Sequence, residues 1–363
     1  MTTGFRQRLL QLHLCAGLTV GLVLLAIALS GAAMLFRPQL DPVVNRELFA
    51  VAGGAERATL DVVAAQALAA HPGSAPVRLR YWSAGDRPSV LRCANHDQIY
   101  VDPGTGRVLG MQNRYRGFFG RAEDIHRFLG LGPSVGKAIG GAAVLTFVFV
   151  ILSGFVLWVP PAWRALRSAL LPNLRLAGRA RLLHAHKLVG GYAGLVVLFS
   201  ALTGLPHAYD WYEHLVYRVA GSPPPEAPPV AAAPAAAERL PMAEWARRIE
   251  ALSGPYHSAE VFFPKPGQSV VQAWYVTADA PHVHARSYVY LDAVTGEVLR
   301  HEPYATSSAG HKLYYWMLAL HLGQAGGPGW QLVLLGGCLS VPVLAVTGLL
   351  SYLRRRRGHR PAA

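Results

Sequence analysis

Four of the 15 histidines in this chain recur at matching positions in its two halves. His13 and His186 are each followed by glycines at +4 and +8: Gly17 and Gly21, then Gly190 and Gly194. A hydroxyl residue and a glycine follow at +17 and +18: Ser30-Gly31, then Thr203-Gly204. Similarly, His126 precedes Gly140-Gly141 and Ser153-Gly154, and His321 precedes Gly336-Gly337 and Thr347-Gly348, with offsets agreeing within one residue. In a duplicated bundle, equivalent residues face each other across the axis. The spacing therefore predicts two facing pairs, His13 with His186 and His126 with His321, one near each end of the bundle. Neutral imidazole is a good iron ligand, and b-type haem needs only axial histidines. The absence of a Cys-x-x-Cys-His run excludes c-type haem. Gly17 and Gly190, one turn beyond their histidines, would let a flat macrocycle approach the backbone. Two other readings stay open: helix packing through Gly-x-x-x-Gly with interfacial histidines, and a non-haem metal or a proton relay.

Other histidines compete for these roles. His207 falls at the depth of His126 and His321 without a repeat partner, and is a rival ligand or a supporting group. His184 sits two residues before His186 and points to nearly the opposite helix face, but is a possible replacement for it. His311 is a weaker outer rival. His282-x-His284 reads as an exposed loop before it reads as a metal site. Cys15, Cys93 and Cys338 are too scattered to pair within one domain.

These residues need helices that cross a bilayer. Runs without Asp, Glu, Lys or Arg cover residues 14–36, 138–163, 188–209 and 313–353. A span takes roughly 20 apolar residues, so the first three runs fit one span each. The fourth is longer, and Gly326-Gly327-Pro328-Gly329 predicts a break before a span near 330–353. Trp158, Trp163, Trp211, Trp316 and Trp330 fall at span edges, as interfacial aromatic belts do. The first run is too long for a signal-peptide core and is expected to remain as a helix.

Charge sets the expected orientation. Residues 1–12, 164–187 and 354–363 carry 2 + 6 + 5 = 13 of the net +14, with no acid among them. Cytoplasmic loops carry such an excess, so both termini and the middle loop are expected inside. Two outer segments of about 100 residues then hold all 20 acidic residues. The basic excess thus reports a lipid bilayer as partner and argues against nucleic acid. Composition excludes a disordered tail, with 52% hydrophobic residues, and three cysteines in 363 residues exclude a disulfide-stapled module. No Walker loop, dinucleotide fingerprint or zinc-protease helix occurs.

The outer segments repeat as well. Thr59 can cap a helix ending before Pro72-Gly73, and Pro241 starts one with Met242, Trp245, Ile249 and Leu252 on one face. Strands follow, with Val77, Leu79 and Tyr81 sharing one face and Val271, Ala273 and Tyr275 another. Each segment then holds a hairpin, Asp102-Pro103-Gly104-Thr105-Gly106 and Asp292-Ala293-Val294-Thr295-Gly296. The Asp can fold onto its own backbone, and the last Gly can supply positive φ. A Pro/Ala linker, 221–238, is expected to be exposed and mobile.

From Leu12-His13 through the two Asp-x-x-Thr-Gly hairpins to Leu320-His321, this layout resembles the PepSY-associated transmembrane proteins. The resemblance implies a bacterial inner membrane, periplasmic PepSY domains and, as in ferric-siderophore reductases of this layout, two b-type haems with bis-histidine ligation. The expected fold is an all-α four-helix transmembrane bundle with two periplasmic α+β PepSY-like domains, made by duplicating helix–PepSY–helix. Its expected segments are 1–36 (N-terminus and first span), 37–125 (PepSY-like domain 1), 126–163 (second span), 164–187 (basic loop), 188–209 (third span), 210–312 (PepSY-like domain 2), 313–353 (fourth span) and 354–363 (basic tail). The expected activity is that of an oxidoreductase. Electrons from a cytoplasmic or quinol donor would enter at the His13/His186 haem and pass to the His126/His321 haem. They would then reduce a ferric-siderophore or other periplasmic ferric complex, where Fe(II) binds hard oxygen ligands less well. His13 to Phe36 spans roughly 35 Å as a helix, which is why two centres are needed. Other acceptors (quinone, free ferric iron, copper, an oxidised protein) remain open, as does a non-enzymatic membrane-anchored PepSY regulator.

Overall fold

The computed structural model describes residues 3–52, 57–159, 166–231 and 238–357. Trp163, Arg164 and the middle of the expected linker lie outside them. The helices are α1 (Thr3–Met34), α2 (Arg37–Val44), α3 (Arg46–Phe49), α4 (Leu60–Ala70), α5 (Gly117–Phe128) and α6 (Pro133–Trp158). They continue as α7 (Leu166–Leu170), α8 (Gly178–Gly204), α9 (Asp210–Val219), α10 (Met242–Ser253), α11 (Ala309–His321) and α12 (Gly327–Arg357). The strands are β1 (Pro76–Trp82), β2 (Ser89–Cys93), β3 (Asp97–Val101), β4 (Val108–Asn113), β5 (Tyr256–Phe262), β6 (Val270–Thr277), β7 (Ser287–Asp292) and β8 (Val298–Glu302). The chain forms two units: Met1–Phe36, Arg121–Glu213 and Leu320–Ala363 in one, Arg37–Gly120 and His214–Ala319 in the other.

In the first unit, the cores of α1, α6, α8 and α12 are long and apolar enough to cross a bilayer, so the protein is membrane-embedded. α1 packs on α6 and α12, and α8 packs on the same two, so α1 and α8 occupy opposite corners. Pro133 follows Gly132 at the start of α6, where a missing N–H costs nothing. The fourth apolar run is divided: α11 ends at His321 and α12 begins at Gly327.

The second unit draws together segments from both expected outer domains. All eight strands form one antiparallel sheet, ordered β4-β3-β2-β1-β5-β6-β7-β8. The join is β1 against β5, with Leu79 opposite Val261 and Arg80 opposite Glu260. Alone, each four-stranded piece would leave the edge of β1 or β5 unpaired, and pairing them removes both open edges. One face of the sheet is apolar. Leu79, Leu91, Val261, Val271, Val289 and Leu291 pack there with Val63 and Ala67 of α4 and Trp245 and Ile249 of α10. Burying each such aliphatic side chain contributes roughly 1.5–3 kcal/mol. Two expected members of these apolar faces, Val77 and Leu252, are exposed instead.

Local chemistry fixes the ends of these elements. Thr59 Oγ1 accepts from Val62 N at the start of α4. Asp61 then reaches across to accept from Met242 N at 2.7 Å and Ala243 N at 2.8 Å, capping α10 from outside. In the hairpins, Asp102 accepts from Gly104 N and Thr105 N, and Asp292 from Val294 N and Thr295 N. Gly106 and Gly296 take φ of +73° and +71°, which disfavour any side chain. The described part of the Pro/Ala linker is pinned rather than loose. Arg300 holds Glu226 at 3.1 Å and Ala227 O at 3.0 Å, and Ser269 N donates to Ala231 O.

Candidate functional site

The membrane unit brings the four predicted histidines together in two pairs. His13 on α1 and His186 on α8 have ring centroids 6.3 Å apart, at 90°. His126 on α5 and His321 on α11 have centroids 6.2 Å apart, at 50°. Two imidazole nitrogens on opposite sides of one metal, each bonded at about 2.0–2.1 Å, put ring centroids roughly 6–6.5 Å apart. Both pairs have that spacing.

Three rings meet the hydroxyl of a Ser/Thr-Gly dipeptide, and the fourth meets a carbonyl in the turn before one. His13 Nδ1 lies 2.9 Å from Ser153 Oγ, and that hydroxyl's proton goes to Val150 O at 3.0 Å. His321 Nδ1 lies 3.1 Å from Thr203 Oγ1, whose proton goes to Phe199 O at 2.8 Å. His186 Nδ1 lies 3.1 Å from both Leu344 O and Thr347 Oγ1, and Thr347 donates to Val343 O. His126 Nδ1 meets Ile27 O at 2.9 Å, three residues before Ser30. A hydroxyl has one proton, and a carbonyl has none. Opposite a carbonyl, the Nδ1 of His126 and of His186 must be the donor; the Nδ1 of His13 and of His321 is the donor when the Ser153 and Thr203 protons stay on their backbone carbonyls. The neutral tautomer then leaves the Nε2 lone pair as the ligating site, the arrangement that orients metal-bound histidines generally.

The adjoining glycines let the rings lie against a neighbouring backbone. A Cβ on Gly31 would come within 3.0 Å of His126 Cε1, and one on Gly204 within 3.1 Å of His321 Cε1. The corresponding distances are 3.3 Å from Gly154 to His13 and 3.4 Å from Gly348 to His186. By contrast, a Cβ on Gly17 would meet nothing within 4 Å, and one on Gly190 only Leu344 Cδ2 at 3.6 Å. The sequence reading used the Ser/Thr-Gly dipeptides as markers of a repeat and missed what they do. The signal was their presence at all four positions.

His207 also joins the α5–α11 pair, its ring centroid 6.4 Å from that of His321. Burial favours neutral imidazole here. It holds His126 below the ordinary 6.5, and it pushes His321 down to about 3, with His126 and His207 adding to the effect. The remaining histidines are engaged elsewhere. His184 Nε2 accepts from Asn173 N at 3.1 Å, which ties down the turn before α8. His311 Nε2 bonds Arg286 O at 3.1 Å, and its ring lies on Tyr315. His282 is buried, with its ring 4.5 Å from Trp316 and its Nδ1 taken by His284 N. Cys15, Cys93 and Cys338 are free thiols.

Along α1, His13 and the Ile27–Gly31 seat of His126 are 14–18 residues apart, which is about 21–27 Å of helix. The bundle therefore presents two facing imidazole pairs spaced along its length. A family model for the PepSY-associated TM region matches residues 10–355. No curated protein matches the chain.

Proposed function

We propose that this chain, which belongs to the family defined by the PepSY-associated TM region, is a di-haem b electron-transfer protein of a bacterial inner membrane. It moves electrons from a cytoplasmic or quinol donor to a ferric complex on the periplasmic side. The observation that carries this reading is the fourfold seat: each histidine has its Nδ1 engaged by a neighbouring helix, which leaves Nε2 for a metal, in pairs with the spacing of axial ligands. Haem, when bound, supplies one-electron exchange between Fe(III) and Fe(II).

The protein's own part is ligation, orientation and placement. His13 and His186 would hold one iron, His126 and His321 the other. Ser153, Thr203 and Thr347 fix the ring tautomers, and the glycines beside them set how deep each ring sits. Placing one pair near each end of the bundle divides the membrane into two shorter crossings. Gly17 and Gly190 keep the helix surfaces beside His13 and His186 low. Orientation follows the basic segments: both termini and the 164–187 loop inside, the sheet in the periplasm. The mirrored strand order supports reading the chain as a duplicated helix–PepSY-like domain–helix unit.

An optical spectrum tests the reading. Protein purified from cells supplied with haem precursors should show Soret and α bands that sharpen on reduction, and two haems per chain by pyridine haemochrome. A colourless preparation would overturn it.

A further inference from the structure

The sheet face opposite α4 and α10 carries chemistry that electron transfer leaves unused. Strand register aligns Arg80, Glu260, Trp274 and Tyr288 in one row across it. The next row runs Arg92, Arg78 and Phe262. Arg78 and Arg92 are therefore directly opposed, a like-charge pairing that destabilises a sheet unless something offsets it. Arg286, just before β7, joins them. Its guanidinium lies 4.4 Å from the Trp274 ring centre, and that of Arg80 lies 5.1 Å from it. Four guanidiniums thus meet a single carboxylate in the middle of the sheet, Glu260, which is buried and held by Arg78 at 3.0 Å. The local balance is 4 − 1 = +3.

Two of these cations, Arg80 and Arg92, lack what a buried cation needs, while Arg286 is hydrogen-bonded by Tyr288 and keeps only its Nε unmatched. The Nε atoms of Arg80, Arg92 and Arg286 are buried without a hydrogen-bond partner. Neither Arg80 nor Arg92 makes a side-chain ion pair or hydrogen bond among the described residues. Such groups are costly unless an anion completes them. Burial, with Arg92, Arg286 and Arg87 adding to it against Glu260, already pulls Arg80 down to about 10. The cations also stand in the interior of the sheet, not on its rim. Leu48 of α3 packs over Val90 and Tyr100 on one side, and Tyr315 of α11 bonds the Tyr288 hydroxyl on the other. None of the three arginines is fully buried as a whole residue, so part of each side chain is reachable.

We propose that Arg80, Arg92 and Arg286 form a binding site for a small oxygen-rich anion bearing several carboxylates, and that the ferric complex accepted here is of this anionic class. The second half of that statement rests on the electron-transfer reading; the anion site does not. Guanidinium forks match carboxylates two bonds at a time, and the aromatic faces of Trp82 and Trp274 fix Arg80 between them. A flat, wide lipid surface would sooner meet charges on the rim.

Gallium(III) citrate tests the site, because gallium accepts no electron and its binding is independent of haem. Titrated calorimetrically into the full-length protein in neutral detergent, it should bind saturably, with a neutral gallium trihydroxamate failing to compete. Arg80→Gln and Arg92→Gln should each weaken binding at least tenfold, with helix content and thermal midpoint kept. Arg80→Lys should fall between, and Arg247→Gln, on exposed α10 surface, should change nothing. No binding, or equal binding by the Gln variants, overturns the proposal. So does loss of gallium citrate binding in phosphatidylglycerol nanodiscs but not phosphatidylcholine ones, which would assign the cations to lipid headgroups. Anion binding by a colourless protein would leave this site standing and remove the electron-transfer reading. A haem spectrum without anion binding would do the reverse.

Discussion

The two histidine pairs are built alike and differ in their company. Both have the same ring spacing and the same Ser/Thr-Gly seats on neighbouring helices. Among the described residues, the His13/His186 pair shows two rings, both on spanning helices. The His126/His321 pair sits on the short helices α5 and α11 and has a third ring, His207, nearly as close to His321 as His126 is. Proximity therefore does not separate His207 from His126. The seat does, because each of the four Ser/Thr-Gly dipeptides lies beside one of the four repeated histidines and His207 lies outside that pattern.

The comparison breaks most visibly on removing a ring. On the di-haem reading, His13→Ala or His186→Ala should each remove one of two haem equivalents, because among the described residues no third histidine ring contact to this pair is seen. His126→Ala should also remove one, while His207→Ala should leave both, by pyridine haemochrome. If His126→Ala keeps two and the double variant with His207→Ala keeps one, then His207 substitutes and the pairs are less alike than their seats. Removing an acceptor is the next largest change. Ser153→Ala and Thr203→Ala should weaken haem retention roughly 10–100-fold, measured by transfer to apomyoglobin. Thr347→Ala should cost less, because Leu344 O remains to accept from His186, and Thr203→Ser should restore the parent behaviour. Crowding a ring comes third. Gly31→Ala, at 3.0 Å, should disturb its histidine more than Gly348→Ala, at 3.4 Å, each costing about 1–3 kcal/mol. Electron paramagnetic resonance of the oxidised haems reads the order.

The smallest effect concerns the hairpins, which, unlike the pairs, are near copies throughout. Burial works to raise the Asp102 carboxyl, but bonds from Ala52, Thr105 and Gly104 N–H overcome it and hold the pKa below the ordinary 3.8. At Asp292, Thr295, Ser269 and Val294 likewise overcome burial. A depressed carboxylate stabilises the fold at pH above its unfolded value and loses that contribution as pH falls through the folded one. Acid unfolding followed by circular dichroism should therefore begin near pH 4 and move to higher pH in Asp102→Asn and Asp292→Asn alike. Each should cost roughly 1–2 kcal/mol at neutral pH.

Much of this was legible in the sequence because it is local. Apolar runs report spans, Thr59 and Pro241 report helix starts, and Asp-x-x-Thr-Gly reports a hairpin through its own backbone. The histidine pairing was legible through the repeat alone. What stayed hidden depends on contacts between distant residues. The pairing of β1 with β5 has no marker in either strand, since each reads as a half-buried strand whatever its neighbour. Val77 and Leu252 read as apolar-face residues, yet each lies in its element's outermost turn or register position, beyond the packed core. The Arg80–Arg92 rows needed that same strand register before they could be seen as one cluster.

The β1–β5 join also governs assembly in time. Trp82 ends β1 and Tyr256 begins β5, so at roughly 5–20 residues per second a ribosome needs about 10–35 s to make the partner that β1 awaits. During that interval a sticky edge is presented by a half-built protein. Maturation of the sheet is then paced by synthesis, and the nascent first half is the stage at which a chaperone, or a mispairing with another chain, has its opportunity.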